Sequence, residues 1–268
     1  MNATAPATFY RVFALAVLGF IVLPLAVIVW VSFFSNRILS FPPQGYTLDW
    51  YVRAWERPEF REGLFLSLKT ALFASLASLA IGVPASLALT RYKFAGRDLV
   101  TNILLSPMVV PGIVGGAAMY IFYIEFEIVT EVQVAGTLPG LFAAHLLVAL
   151  PWTIRLVTAS LIGIDHSISE AAASLGAGPV TIFFRIVLPV IKPALIASAL
   201  FAFVASFIDL EKSLFLVGSG RTTLQIAIVS YLEWNLDSTI AAVATVQIAI
   251  IAALLLITNR YAQLNRAF

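Results

Sequence analysis

Six long runs of apolar residues, separated by short polar or charged stretches, dominate the 268-residue chain. A helix rises ~1.5 Å per residue and the hydrocarbon core of a bilayer is ~30 Å thick, so ~20 apolar residues cross it. The runs are Val12–Phe34, Thr70–Thr90 (bracketed by Lys69 and Arg91), one within Leu99–Ile124 and one within Val132–Ile154. A shorter run centres on Pro193–Ile208, and the last is Ser238–Asn259. They do not alternate apolar and polar residues as the strands of a membrane barrel would. Stretches such as Val243–Ile257 are apolar on nearly every face. Backbone groups in lipid must be satisfied within their own segment, so the pattern predicts six transmembrane helices and an all-α integral membrane fold. Pro24, Pro84, Pro107, Pro111-Gly112 and Pro151 predict bends in these helices, and Gly115-Gly-Ala-Ala118 predicts close helix packing.

Composition agrees. The chain is 61% hydrophobic and 11% charged with a mean hydropathy of +0.98, whereas soluble domains carry about 25% charged residues. The small residues Ala3 to Ala7 precede the first apolar run, whereas a signal peptide places its cleavage site after one, so that run reads as a retained span. No cysteine is present, which excludes disulfides, thiol nucleophiles and Cys-based metal sites. Two distant histidines provide no metal-ligand spacing, and a net charge of +2 with no basic patch interleaved with aromatics does not suit nucleic acid.

Lysine and arginine set the orientation. With the N-terminus inside, the inner side holds Arg11, Arg91, Lys93, Arg97, Arg155, Arg185, Lys192, Arg260 and Arg266. The outer side then holds Arg37, Arg53, Arg57, Arg61, Lys69, Lys212 and Arg221, with Glu125, Glu127, Glu131, Asp209, Glu211, Glu233 and Asp237 among the acids. Arg91, Lys93 and Arg97 crowd one short loop, which strengthens the assignment of both termini to the cytoplasmic side. The outer loop has a Pro-Pro turn at Phe41–Gly45 and then Trp50, Tyr51 and Trp55, a cluster suited to an interfacial helix at the headgroups or to a structural lid.

The polar loop between the fourth and fifth runs holds Ser167 and Glu170 at capping-box spacing, three helix-favouring alanines, and Gly176 and Gly178 as exits at positive φ before Pro179. This predicts a helix of about two turns, large enough to dock another protein and equally compatible with a plain capped linker. Mid-span His145 suits a helix–helix hydrogen bond or a ligand site. Asp209, Glu211 and Lys212 suit the vestibule of a cationic solute or pairing with one another. Lys69, Arg155 and Lys192 read as snorkelling residues near span ends.

The loop resembles the EAA loop of permease subunits from binding-protein-dependent, ATP-driven importers. That pattern is Glu-Ala-Ala, three residues, Gly, nine residues, Ile, one residue, Leu-Pro; here it is Glu170, Ala171, Ala172, Gly176, Ile186, Leu188 and Pro189. Ser67–Ala71, Gly82–Ala85, Thr90–Tyr92, Gly218–Leu224 and Ile240–Thr245 are similar to the second permease of spermidine/putrescine-type transporters. Ser206–Lys212 and Leu224-Gln225 depart from that pattern.

The resemblance implies a type I ABC importer permease bundle of the MetI-like kind. It implies an N-terminal helix and periplasmic loop over 1–62, a core over 63–259 with a coupling loop at 162–190, and a cytoplasmic tail over 260–268. It implies two ATP-binding subunits that carry ATP and Mg, a second homologous permease and a periplasmic solute-binding protein, in a bacterial inner membrane. The seven motif residues would couple to the ATPase, and Asp209, Glu211 and His145 are the pathway candidates. The chain itself has no phosphate loop and no cofactor site. A polyamine or related small cationic compound is the expected solute. An ion-coupled secondary transporter is the alternative, disfavoured by the lack of mid-membrane acids and of an inverted repeat. A membrane enzyme would need a catalytic constellation that the sequence does not offer.

Overall fold

A computed structural model describes residues 4–38 and 40–264. Arg266 and the end of the tail therefore lie outside the described residues. Among those described, the chain is a succession of helices, and the sole strand-like feature is one bridge between Phe34 and Tyr46. The helices are α1 (Thr4–Val31), α2 (Asp49–Glu56), α3 (Pro58–Arg91), α4 (Arg97–Leu105), α5 (Gly112–Thr130) and α6 (Leu138–Ile162). They continue as α7 (His166–Ser174), α8 (Pro179–Ile182), α9 (Leu188–Phe207), α10 (Glu211–Leu216), α11 (Leu224–Leu232) and α12 (Thr239–Leu264). A 3-10 turn over Ser106–Met108 follows α4, and a π-helical turn over Phe183–Val187 joins α8 to α9.

Among the described residues, six stretches are long and apolar enough to cross a membrane: Thr8–Val31, Pro58–Arg91, Gly112–Thr130, Leu138–Ile162, Pro179–Phe207 and Thr239–Arg260. The third differs from expectation. The run within Leu99–Ile124 is broken in two, and its crossing part is α5. Proline is the reason: Pro111 lacks an N–H and disfavours a helical Val110 before it, so one helix stops and another starts at Gly112. Glu125 and Glu127 consequently fall inside α5 rather than in an outer loop. Arg155 lies within α6, roughly two turns before its end, rather than at the span's edge.

The chain forms two compact units, one from Met1–Arg61 with Ala227–Ala252 and the other from Glu62–Ile226 with Ala253–Phe268. In the first, α1 is exposed from Thr8 to Val27, and its last turn is half-buried at Ile28, Val29 and Val31. The loop after it is folded back by its own polar groups. Asn36 donates to the Ser40 hydroxyl at 2.7 Å and accepts from the Gln44 amide at 2.7 Å. Trp50, from the cluster expected to form an interfacial helix or a structural lid, is 3% exposed and donates its indole N–H to the Phe34 carbonyl at 2.6 Å. Burying an indole N–H requires such a partner. Of that aromatic cluster Trp55 is the one left exposed.

The second unit is built around α3, α6 and α9. Ala74, Ala149 and Ala202, one from each helix, are fully buried against one another. Hydroxyls reinforce this contact: Ser75 donates to the Ala199 carbonyl at 2.8 Å, and Ser78 and Thr153 share a hydrogen bond of 2.9 Å. Small side chains let membrane helices approach closely, and serine or threonine then bridges them. A second close approach joins α5 to α10. Gly112 and Gly116, one turn apart, face α10, and a Cβ at Gly116 would stand 2.7 Å from the Glu211 carbonyl and 2.8 Å from the Phe215 ring. The packing glycines are thus Gly112 and Gly116, whereas Gly115 faces open space up to Val110 at 3.8 Å.

Gly116→Leu is therefore expected to destabilise the protein by about 1–3 kcal/mol or more through overpacking. Gly115→Ala should be close to neutral. Thermal denaturation of the two purified variants in detergent checks the contrast.

Candidate functional site

Short α7 leaves the end of α6 through Gly163 and Ile164. Its N-cap is Asp165, whose carboxylate accepts from the Ser167 amide at 2.9 Å. This corrects the expected Ser167–Glu170 capping box. An extended Asp at the position before the first helical residue already satisfies the N2 amide, so the helix starts earlier and Ser167 falls inside its first turn. Glu170 is thereby released from capping. Its carboxylate is exposed and has no hydrogen-bond or ion-pair partner among the described residues.

The C-terminal end is a Schellman motif. The Gly176 amide donates to Ala173 O at 2.9 Å and the Ala177 amide to Ala172 O at 3.0 Å. Gly176 sits at φ +84°, the left-handed conformation this motif requires. Gly178, also expected at positive φ, has φ −70° and serves as the extended residue before Pro179. Ala172 and Ala177 meet a buried cluster of Val83, Val157, Leu161, Ile182, Val187 and Ile191, which roots α7 in α3, α6 and α9. Ile186 packs on the same cluster. The motif thus divides by face. Ala172 and Ile186 point inward, Glu170, Ala171 and Pro189 are exposed, Leu188 is half-buried, and Leu175 is 90% exposed.

Sequence reasoning missed Asp165 as the cap, Leu175 as the protruding apolar side chain, and the π-helical turn. Proline offered a signal for the last. Pro189 has no N–H, and its ring would clash with the carbonyl four residues back in a regular α-helix. The wider turn, closed by the Leu188 amide on Phe183 O, removes that conflict.

The pathway candidates come together. His145 is 2% exposed and bridges α6, α9 and α10 through Ser206 (Nδ1, 2.8 Å) and Ser213 (Nε2, 3.1 Å). Ser213 donates its single hydroxyl proton to the Asp209 carbonyl at 3.0 Å, so it accepts from His145 Nε2–H. Nδ1 lies within hydrogen-bond distance of the Ser206 hydroxyl, so the ring is held from both nitrogens. Lys212 lies 3.4 Å from Asp209 and 3.6 Å from Glu211. The Asp209 carboxylate also accepts from the Lys212 amide at 2.9 Å. The Glu211 carboxylate is half-exposed and stands over Gly112 at the start of α5. No group of residues able to hold a metal occurs among those described.

Residues 78–266 match the family described as binding-protein-dependent transport system inner membrane component, and the chain belongs to that family. It is a transport permease subunit of an ABC importer, a multi-pass membrane protein and not an enzyme, and nothing favours an ion-coupled carrier. Among its relatives are the spermidine/putrescine transport system permease protein PotC of Haemophilus influenzae and a putative 2-aminoethylphosphonate transport system permease protein PhnV of Salmonella typhi. The first is 28% identical over 94% of this chain and 96% of its own; the second is 29% identical over 91% and 90%. The fold matches that of a bacterial ABC transporter involved in the import of the acidic polysaccharide alginate, with a TM-score of 0.67 over 100% of this chain and 99% of that one, at 18% identity.

His145→Leu should destabilise the protein by about 1–3 kcal/mol, chiefly by stranding the Ser206 hydroxyl. The additional change Ser206→Ala should recover part of that loss. A thermal-stability cycle over these variants measures it.

Proposed function

We propose that this subunit lines half of a solute path, the other half coming from a second, homologous permease. In this reading α7 is the element that seats in a groove of an ATPase subunit. Two such subunits bind ATP and Mg, and a periplasmic solute-binding protein delivers the solute. Both termini lie on the cytoplasmic side, and the loop over 162–190 is the coupling loop of a core spanning 63–259.

One observation carries the reading. Glu170, Ala171 and Ala172 of the EAA spacing lie on a capped helix that is exposed on one face and rooted on the other in the cluster shared by α3, α6 and α9. A push on Glu170, Ala171 and Leu175 is passed to the membrane helices as rigid-body movement, because the anchoring residues are close-packed. Gly176 contributes the sharp exit, and the Glu170 carboxylate is free to meet a cationic or N–H donor group on the partner.

The solute is a small compound with a protonated amine, a polyamine foremost. Spermidine, putrescine and 2-aminoethylphosphonate, named for the relatives, share that group. Glu211 is half-exposed and carries only a 3.6 Å contact to Lys212, which suits it to meet such a solute. Asp209, buried and bonded to Lys212, holds the mouth in shape and influences entry through it.

The assembled complex should co-purify with an ATPase and a second permease. In it, Gly176→Leu is expected to abolish both uptake and solute-stimulated ATP hydrolysis while membrane insertion persists. Unchanged uptake and hydrolysis would refute the role of α7. Asp209→Asn and Glu211→Gln should each lower putrescine uptake in proteoliposomes with binding-protein docking intact. A loss of docking would assign these acids to the interface instead.

A further inference from the structure

The short connection between α3 and α4 carries Arg91, Lys93 and Arg97 against a single acid, Asp98, a net charge of +2 over 91–98 (three cations minus one anion). None of the three cations forms an ion pair among the described residues, where the ion pairs are Arg57–Glu59, Lys212–Asp209 and Lys212–Glu211. Arg91 is turned toward α7, its guanidinium 3.4 Å from the Ser169 hydroxyl, so this connection shares a membrane face with the coupling loop. Lys93 and Arg97 instead line an open cavity together with Phe94, Gly96, Asp98 and Leu99. Asp98 is exposed in the first turn of α4, where the helix dipole favours a carboxylate.

The cavity is amphiphilic. Phe94 and Leu99 on its wall are exposed, and Ile103, one turn along α4 from Leu99, is exposed as well. The opposite face of α4 is covered, since Leu104 and Leu105 pack against Leu89, Leu150 and Ile154. The membrane-crossing stretch of α3 ends at Arg91, so the cations stand where a span meets the headgroups. Two unpaired cations at that depth, with an apolar strip running from them into the bilayer, are complementary to an anion that has a hydrocarbon tail. A free anion would make no use of the strip.

We propose that this corner is a binding site for the phosphate headgroup of an anionic phospholipid. Lys93 and Arg97 meet the phosphate, and Phe94, Leu99 and Ile103 lie along the acyl chains. The site is independent of the solute and of α7's role in coupling.

Native mass spectrometry of the assembled transporter tests it, after extraction from nanodiscs of phosphatidylcholine mixed with phosphatidylglycerol. The wild type should retain phosphatidylglycerol in preference to phosphatidylcholine, and inorganic phosphate should not displace it. Lys93→Gln with Arg97→Gln should weaken retention roughly tenfold or more, as expected for two lost charges at an anionic surface. Lys93→Arg with Arg97→Lys should retain the lipid. Equal retention in all three proteins, equal retention of both lipids, or displacement by inorganic phosphate would overturn the proposal. Photoreactive phosphatidylglycerol applied to the wild-type complex gives a measurement that needs no variant. Labelling should fall between residues 93 and 103, and labelling elsewhere alone would overturn the site.

Discussion

Helices in lipid gain little from apolar burial, because the surrounding acyl chains are as apolar as their own side chains. Close backbone approach and shared hydrogen bonds must hold them instead. In this protein that constraint is met where Ala74, Ala149 and Ala202 touch, with Ser75, Ser78 and Thr153 beside them. The contact sets the relative placement of α3, α6 and α9. The same three helices supply the cluster of Val83, Val157, Leu161 and Ile191 in which α7 is rooted. One end of the alanine contact therefore supports the loop that carries α7. The other leads to His145 and to the charged cluster of Asp209, Glu211 and Lys212.

The two ends use different chemistry for physical reasons. Toward α7 the anchors are aliphatic, and packed side chains resist compression. Toward the mouth the bonds are directional. His145 ties three helices with two hydrogen bonds, and Lys212 holds Asp209 while touching Glu211. Such bonds tolerate rearrangement when water or solute offers replacements, whereas an aliphatic cluster has no such exchange.

Much of this was legible along the chain. Six spans follow from apolar length, and Glu170, Ala171, Ala172, Gly176, Ile186, Leu188 and Pro189 stand at a spacing that marks the loop. Boundaries were harder wherever proline intervened. Val109 and Val110 are apolar enough to continue a span, yet Pro111 ends it, and apolar length alone does not register a missing N–H. The cap was misplaced because Ser167 and Asp165 both fit the role locally. The choice depends on which residue is extended, a backbone property. The pairing of Lys212 with Asp209 and Glu211 is local and was one of the two readings the sequence offered, whereas the seat of Glu211 over Gly112 joins distant segments and has no signature in a single sequence.

The wide turn at Phe183–Val187 has a consequence for azimuth. Successive residues of an α-helix are rotated by ~100° about its axis, so one additional residue in a turn advances everything after it by that amount. Ile182 and Val187 face the root of the coupling loop, whereas Ala202 and Ser206 face α6. A regular helix through the same sequence would turn those two sets away from their present alignment by about a quarter revolution. The room made for one proline ring thus fixes which side of the fifth span looks at the histidine.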